Sequence, residues 1–343
     1  MGKPFDVLVF IGRFQPVHVG HVKIFEQGLA HADHLYVLVG STAQPRNLRN
    51  PFLFEERARL VRGAVASDAP VAVLPMPDVV YNDQAWIGNV LVTVEQQLRA
   101  DGLDPRSAKV GLIGHNKDAS SYYLSLFPQW QSLGVQPLGS LNATALRDAF
   151  LRDGSIDRQH LPRCSQEFLE DFVGSQAHEA LKAERAFVDA SQNSWTKSPY
   201  PPIFVTTQAV VVQSDHVLLV RRGNFPGRGL SALPGGFLSA QESLIDGMLR
   251  KLKQETNIAV PDALLYSSIK ASRVFGDPHR SARGRSIAHG YLIQLQPHSP
   301  RLPEVEGADG ADKAYWLPLA RLDPRRMHED HYHIIQVLVA QAE

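Results

Sequence analysis

The chain has 343 residues, a length that favours two domains. Lysine plus arginine and aspartate plus glutamate each number 35, so the formal charge is zero and nothing suggests a nucleic-acid polyanion as partner. Cys164 is the one cysteine, which excludes an internal disulfide and a cysteine-rich zinc site; with no basic-then-apolar leader and no run of about 18 apolar residues to span a membrane, a soluble cytoplasmic protein is expected.

Residues 5–11 are an apolar run that reads as a buried parallel strand. The turn Gly12-Arg13-Phe14-Gln15-Pro16-Val17-His18-Val19-Gly20-His21 follows, and residues 22–30 read as an amphipathic helix. His18 and His21 are three apart and can share one helix face, where a helix N-terminus adds N–H donors and partial positive charge. A second strand covers 34–40, a helix 54–66, a third strand 71–75, a helix 82–100 and a fourth strand 109–114. A further helix starts near Leu141, and residues 164–187 look helical. This alternation predicts an α/β domain with a doubly wound parallel sheet and ligands at the carboxyl ends of its strands.

Residues 189–202, rich in Ser, Asn, Thr and Pro, read as a linker between a first domain, 1–188, and a second, 203–343. In the second, 204–212 and 216–221 look like a hairpin, 243–256 a helix, 288–295 and 314–316 strands, and 330–342 a terminal helix. That pattern is α+β.

Five further segments accompany the opening turn: Gly40-Ser41, Arg49-Asn50-Pro51-Phe52 with Glu55-Glu56-Arg57, Tyr81-Asn82-Asp83-Gln84-Ala85-Trp86, Gly114-His115-Asn116-Lys117-Asp118 and Leu141-Asn142-Ala143-Thr144-Ala145-Leu146-Arg147. In this order, over roughly residues 5–160, they resemble the archaeal-type nicotinamide mononucleotide (NMN) adenylyltransferases of the H-x-G-H nucleotidyltransferase superfamily. The resemblance implies a Rossmann-like domain that makes NAD⁺ and pyrophosphate from NMN and ATP, commonly as a homo-oligomer. It implies that His18, His21, Arg13, Thr144 and Arg147 grip the triphosphate, with Mg²⁺ bridging its oxygens. It further implies that Gly12, Phe14, Gln15, Ser41, Arg49, Asn50, Asn82, Trp86, Gly114, Lys117 and Asp118 line the ATP and NMN sites. Several of these residues carry a plainer reading as well. Thr144 is a helix cap or a phosphate contact, and Arg147 a solvated helix face or a phosphate contact. Trp86 is core at helical spacing from Val90 or the face that meets the pyridinium ring, and Asp118 is a ligand contact or a cap. Asn142 stands where this family usually has Ser and keeps the ability to cap.

Residues 235–258 resemble the Nudix box, G-x5-E-x7-R-E-U-x-E-E-x-G-U, where U is a bulky aliphatic residue. Gly236, Glu242 and Arg250 fall at the box spacing, but Lys251 and Gln254 stand where two of the three helix glutamates belong, leaving Glu255 of the trio. Carboxylates are what holds a hard cation there, and one like-charge contact at about 4 Å costs roughly 4 kcal/mol at an effective dielectric near 20. Glu242 and Glu255 remain as a weak metal set. The flanks, Phe225-Pro226-Gly227-Arg228-Gly229 and a basic loop with Arg280, Arg283 and Arg285, resemble the ADP-ribose pyrophosphatase branch. The loop reads as a diphosphate grip or as a solvated surface.

The resemblance thus implies an adenylyltransferase followed by a Nudix-fold domain that binds ADP-ribose-like nucleotides with impaired hydrolysis. A fully bifunctional enzyme and a second domain that senses NAD metabolites stay open, as does another H-x-G-H transferase acting on FMN or phosphopantetheine.

Overall fold

The computed structural model describes residues 2–115, 126–136, 143–297 and 301–341, with His115 described in its main chain only. Lys117, Asp118 and Asn142 lie outside the described residues. The chain forms two compact units, 1–183 and 184–343.

The first unit is built on a parallel sheet of order β3-β2-β1-β4-β5. Its strands are β1 (Phe5–Gly12), β2 (Ala32–Val39), β3 (Val71–Pro75), β4 (Val110–His115) and β5 (Gln131–Val135). Side chains of β1 alternate between two cores, as the period of a strand requires. Leu8 and Phe10 join Ile24 and Phe25 of α1 (Val19–His31) and Ala58 and Val61 of α2 (Phe54–Gly63). Val7, Val9 and Ile11 join Val90, Val94 and Leu98 of α3 (Asp83–Ala100) on the other face. Both faces are covered, so the strands are continuously apolar. Strand order reverses at β1, which pairs with both β2 and β4. Gly12, Gly40 and Gly114 all sit at the carboxyl edge of this switch point, where a doubly wound sheet binds its ligands.

Beyond the sheet come α4 (Ala143–Asp153), α5 (Arg163–Phe172) and α6 (Gln176–Asn193). The single helical stretch expected over 164–187 is broken at Gly174, whose φ of +75° is left-handed and suits glycine. Helix α6 continues to Asn193, so the start of the Ser- and Asn-containing stretch read as linker is helical. Strand β5 was not foreseen; its burial pattern is mostly exposed and its sequence, Gln-Ser-Leu-Gly-Val, has little apolar signal.

The second unit carries a mixed sheet of order β10-β11-β6-β7-β12, with β8 on β7 and β9 on β6. The strands are β6 (Phe204–Gln213), β7 (His216–Arg222), β8 (Ser231–Ala232), β9 (Gly235–Phe237), β10 (Ile269–Phe275), β11 (Ser286–Gln294) and β12 (Ala311–Pro318). The expected hairpin is β6 and β7, and the parallel partner of β6 is β11. Helix α7 (Leu244–Thr256) packs Met248 and Leu252 onto Leu218, Val220 and Ile293 of one sheet face. The short α8 (Asp262–Ser267) and β10 were not expected, while α9 (His331–Val339) lies against β10 and β11. Among the described residues no helix is long and apolar enough to cross a membrane.

Candidate active site

The turn after β1 is held by its own side chains. A Cβ on Gly12 would stand 2.9 Å from the Phe14 ring, so the glycine makes room for Phe14. Phe14 is 1% exposed and joins the core with an edge-on contact to Phe10. Gln15 is equally buried; its amide donates to the Phe52 carbonyl and accepts from the Phe52 N–H, both at 3.0 Å. These two side chains were expected at the nucleotide but are committed to the interior, where Gln15 pins the loop before α2 to the turn.

His18 is the N-cap of α1, not a residue on its face. Its Nδ1 accepts from the Gly20 N–H at 3.1 Å, and the His21 Nδ1 accepts from the His18 N–H at 3.2 Å. The two rings stack with centroids 3.7 Å apart. A main-chain N–H can only donate, so Nδ1 of each neutral ring is unprotonated and the ring proton resides on Nε2. The pair is thus set as two hydrogen-bond donors at the start of a helix.

Arg13 lies beside this pair in sequence and within a group of arginines in space. Burial, then the charges of Arg49 and Arg147, lower its pKa to about 10, with Asp78 opposing. Its Nη1 is buried with no hydrogen-bond partner, a costly state for a cation unless an anion completes the site. Arg147, on α4, is 5% exposed and donates from Nε to the Leu48 carbonyl at 3.1 Å. Thr144 is exposed in the first turn of the same helix, and Arg49 is exposed in the loop between β2 and α2. Asn50 is buried with its Oδ1 unpartnered.

Two residues not singled out for the site organise it. Arg57, 1% exposed on α2, donates to the carbonyls of Arg13 at 2.8 Å, Gly40 at 2.6 Å and Ser41 at 3.1 Å. It ties the ends of β1 and β2 to α2, and burial lowers its pKa to about 10. Its signal was present: Arg57 falls among the buried residues of α2, with Ala58, Leu60 and Val61, and an arginine on such a stripe needs partners. Asp78 accepts from the Ser41 hydroxyl at 2.6 Å and from Gln44 at 2.9 Å, holding Ser41 at its left-handed φ of +54°. Asp78 is a loop residue with no periodic pattern to mark it.

On the other side of the sheet, Asn82 caps α3 by accepting from the Ala85 N–H at 3.0 Å. Trp86 is half-buried against Phe127, ring centroids 6.0 Å apart, so it is part of the core rim and still presents some surface. Gly114 is buried within β4.

In the second unit the expected metal set does not assemble. Glu242 is bound at both oxygens by Arg250, at 2.6 and 2.8 Å, which lowers its pKa to about 2. Gln254 is held by the same arginine at 3.0 Å. The Lys251 ammonium pairs with Asp309 at 2.9 Å, and its stem lies over Gly236, where a Cβ would come within 2.9 Å of Cε. Glu255 accepts from the Gly235 N–H at 3.0 Å, and burial raises its carboxyl to about 7. Among the described residues no group of three His, Cys, Asp or Glu side chains could hold a metal ion. Glu242 is thus a structural partner of Arg250.

The basic loop also divides. Arg280 is buried in a two-toothed ion pair with Asp330, at 2.8 and 2.9 Å, and is not turned to a diphosphate. Arg285 donates to the Gly276 carbonyl at 2.7 Å. Arg283 lies over the Phe237 ring at 4.7 Å with Nε buried and unpartnered.

Comparison with known proteins matches both units. Residues 9–101 match the cytidylyltransferase-like family and residues 204–338 the NUDIX domain family. The nicotinamide/nicotinic acid mononucleotide adenylyltransferase of Acinetobacter baylyi is 37% identical over 190 residues, 54% of this chain and 97% of that protein. The nicotinamide-nucleotide adenylyltransferase of Thermococcus kodakarensis is 27% identical over 170 residues, 48% of this chain and 83% of that protein. Across both units, the fold is similar to a bifunctional NMN adenylyltransferase/ADP ribose pyrophosphatase from Francisella tularensis, solved with AMP and Mn ion. Its TM-score is 0.91 at 34% identity, covering 99% of this chain and 100% of that one. The chain belongs to the nicotinamide mononucleotide adenylyltransferase family, in the form that joins an adenylyltransferase unit to a NUDIX domain.

Proposed function

We propose that the first unit transfers the adenylyl group of ATP to NMN by direct in-line displacement, with its donors aimed at the departing pyrophosphate. An oxygen of the NMN 5′-phosphate attacks the α-phosphorus of ATP. The bond from that phosphorus to the α,β-bridging oxygen breaks, giving NAD⁺ and pyrophosphate. Both reactants are anions, so catalysis consists of holding them in line and stabilising charge as it moves to the leaving group. The Nε2 protons of His18 and His21 and the guanidinium groups of Arg13 and Arg147 serve that charge, each such donor being worth about 3–4 kcal/mol. Thr144 adds a hydroxyl at the start of α4, and Arg49 a second phosphate contact from its loop. Ser41, Asn50 and Gly12 shape the floor at the strand ends. Trp86 and Asn82 take the NMN base, and Lys117 and Asp118 act from the segment after β4.

The observation that carries this reading is the partnerless Nη1 of Arg13, buried under the charge of Arg49 and Arg147. A divalent cation, Mg²⁺ in this reading, would be held by the triphosphate oxygens and would supply charge neutralisation beside Arg13 and Arg147. The described residues around Arg13 offer it no carboxylate cluster. Pyrophosphate release tests the assignment: the full chain with ATP and NMN releases it, and with FMN or phosphopantetheine in place of NMN it does not. The reverse order of acceptors would assign the unit to another H-x-G-H transferase.

For the second unit we infer binding of ADP-ribose-like nucleotides with impaired hydrolysis. The support is Lys251, whose ammonium stands beside Glu255 where a carboxylate would help hold a divalent ion, and Glu242, which Arg250 occupies. The residues do not fit a metal-activated water. Arg283, with its unpartnered Nε, is the diphosphate contact of this unit.

A further inference from the structure

The second unit has a cavity on the sheet face turned away from α7. In β7 and β12, Leu218, Val220, Ala314 and Trp316 pack towards α7. The alternate residues Arg221, Lys313, Tyr315 and Leu317 therefore face the opposite way, and they line an open cavity of about 430 Å³ bordered by the chain that follows β12. Glu255, Lys251 and Gly236 belong to the α7 side, so this cavity is separate from the box.

Its lining is strongly cationic. Arg221, Lys313, Arg321, Arg325 and Arg326 contribute five positive side chains. Among the described residues that line it, Asp323 is the one carboxylate, and Arg325 takes it with Nε at 3.0 Å and Nη2 at 3.3 Å. Arg221 and Lys313 stand directly opposite each other across the β7–β12 pair. Like charges in that position destabilise a sheet unless an anion lies between them. The rest of the wall is an aromatic and apolar face: Tyr315, fixed by a 2.5 Å hydrogen bond between its hydroxyl and that of Ser231, with Leu230 and Leu317. A volume of this size falls within the range of small-molecule sites.

We propose that this cavity is a second binding site, for a nucleoside di- or triphosphate. The phosphate chain lies on Arg221, Lys313, Arg321 and Arg326, and the base lies against Tyr315. Screening by salt weakens such a site, since its cations are largely exposed.

The test is equilibrium dialysis of radiolabelled ATP against the full chain and its Arg321→Glu/Arg326→Glu variant. The variant binds one ATP fewer per chain, or binds that one at least tenfold more weakly, while its rate of NAD⁺ formation is unchanged. Unlabelled tripolyphosphate displaces this ATP and adenosine at the same concentration does not. Equal stoichiometry and affinity in the two proteins overturn the proposal, as does displacement by adenosine but not by tripolyphosphate. Should the variant not fold, phenylglyoxal labelling of the unaltered chain decides. ATP slows modification of Arg321 and Arg326 at least fivefold, and labelling that ATP leaves unchanged overturns the proposal.

Discussion

The imidazoles of His18 and His21 stack 3.7 Å apart, and each accepts a main-chain proton at Nδ1. One residue caps the helix and the other caps the cap. That exchange satisfies N–H groups a helix start leaves without partners and, by the same bonds, settles which nitrogen of each ring is a donor. Structure and chemistry are therefore separable by mutation.

Asparagine caps a helix as well as any residue but has no Nε2. His18→Asn is expected to hold stability within about 1 kcal/mol of the parent and to lower kcat for NAD⁺ formation by about 100- to 1000-fold. His18→Ala loses the cap too, at a further cost of about 1 kcal/mol. Melting curves and initial rates on the three proteins check this. A His18→Asn enzyme with parental kcat would show that the ring serves only the helix.

Arg57 supports the site from beneath. Arg57→Met keeps the length and apolar stem of the side chain but leaves the carbonyls of Arg13, Gly40 and Ser41 without their donor. Each unsatisfied buried group costs about 1–3 kcal/mol, so the loss is expected to reach about 3 kcal/mol or more. Urea unfolding of the first unit measures it. A change below about 1 kcal/mol would mean that water replaces the guanidinium.

These two residues also mark how far the sequence could be read. The strands β1 to β4 and the helices between them follow from apolar periodicity, because a sheet covered on both faces needs continuously apolar strands. Strand β5 did not follow, since its exposed Gln, Ser and Gly carry no such signal. The decapeptide located the site, but its chemistry sorted differently from its spelling. Phe14 and Gln15 sit inside the motif yet serve the core, while Arg57 and Asp78 lie outside it and position the loops. Short motifs record which residues recur together and not which way a side chain points. In the second unit the box spacing survived in full. What that spacing could not convey is that Arg250 occupies Glu242 and Asp330 occupies Arg280, since both pairings depend on tertiary contacts.

Glu255 makes the stability of the second unit depend on pH. Burial raises its carboxyl from 4.5 to about 7, against the opposing effects of the Gly235 N–H, Lys251 and Arg222. Between those values the folded chain keeps a proton that the unfolded chain releases. Stability from this group is thus full below about 4.5, falls as pH rises towards 7 and is level above it. Glu255→Gln keeps an acceptor for Gly235 and removes the buried charge. It is expected to stabilise the unit at pH 8 by up to about 3 kcal/mol and to gain little at pH 5. Denaturant titrations at the two pH values check the sign, and an equal gain at both would refute it.

If charge is what silences the box, restoring charge should wake it. Lys251→Glu with Gln254→Glu is expected to give magnesium-dependent release of AMP from ADP-ribose, at least tenfold above the parent chain. Chromatography of the products reads it. No gain, in a variant that melts like the parent, would place the defect elsewhere in the unit.

In the proposed function, catalysis resides at the β1–α1 turn and the second unit binds without turning over. One incubation tests it: the full chain with NMN, ATP, ADP-ribose and Mg²⁺, its products resolved by chromatography over many turnovers. NAD⁺ and pyrophosphate are expected to accumulate together while ADP-ribose stays intact. Conversion of ADP-ribose to AMP and ribose 5-phosphate at a rate comparable to NAD⁺ formation, or the absence of NAD⁺, would contradict it.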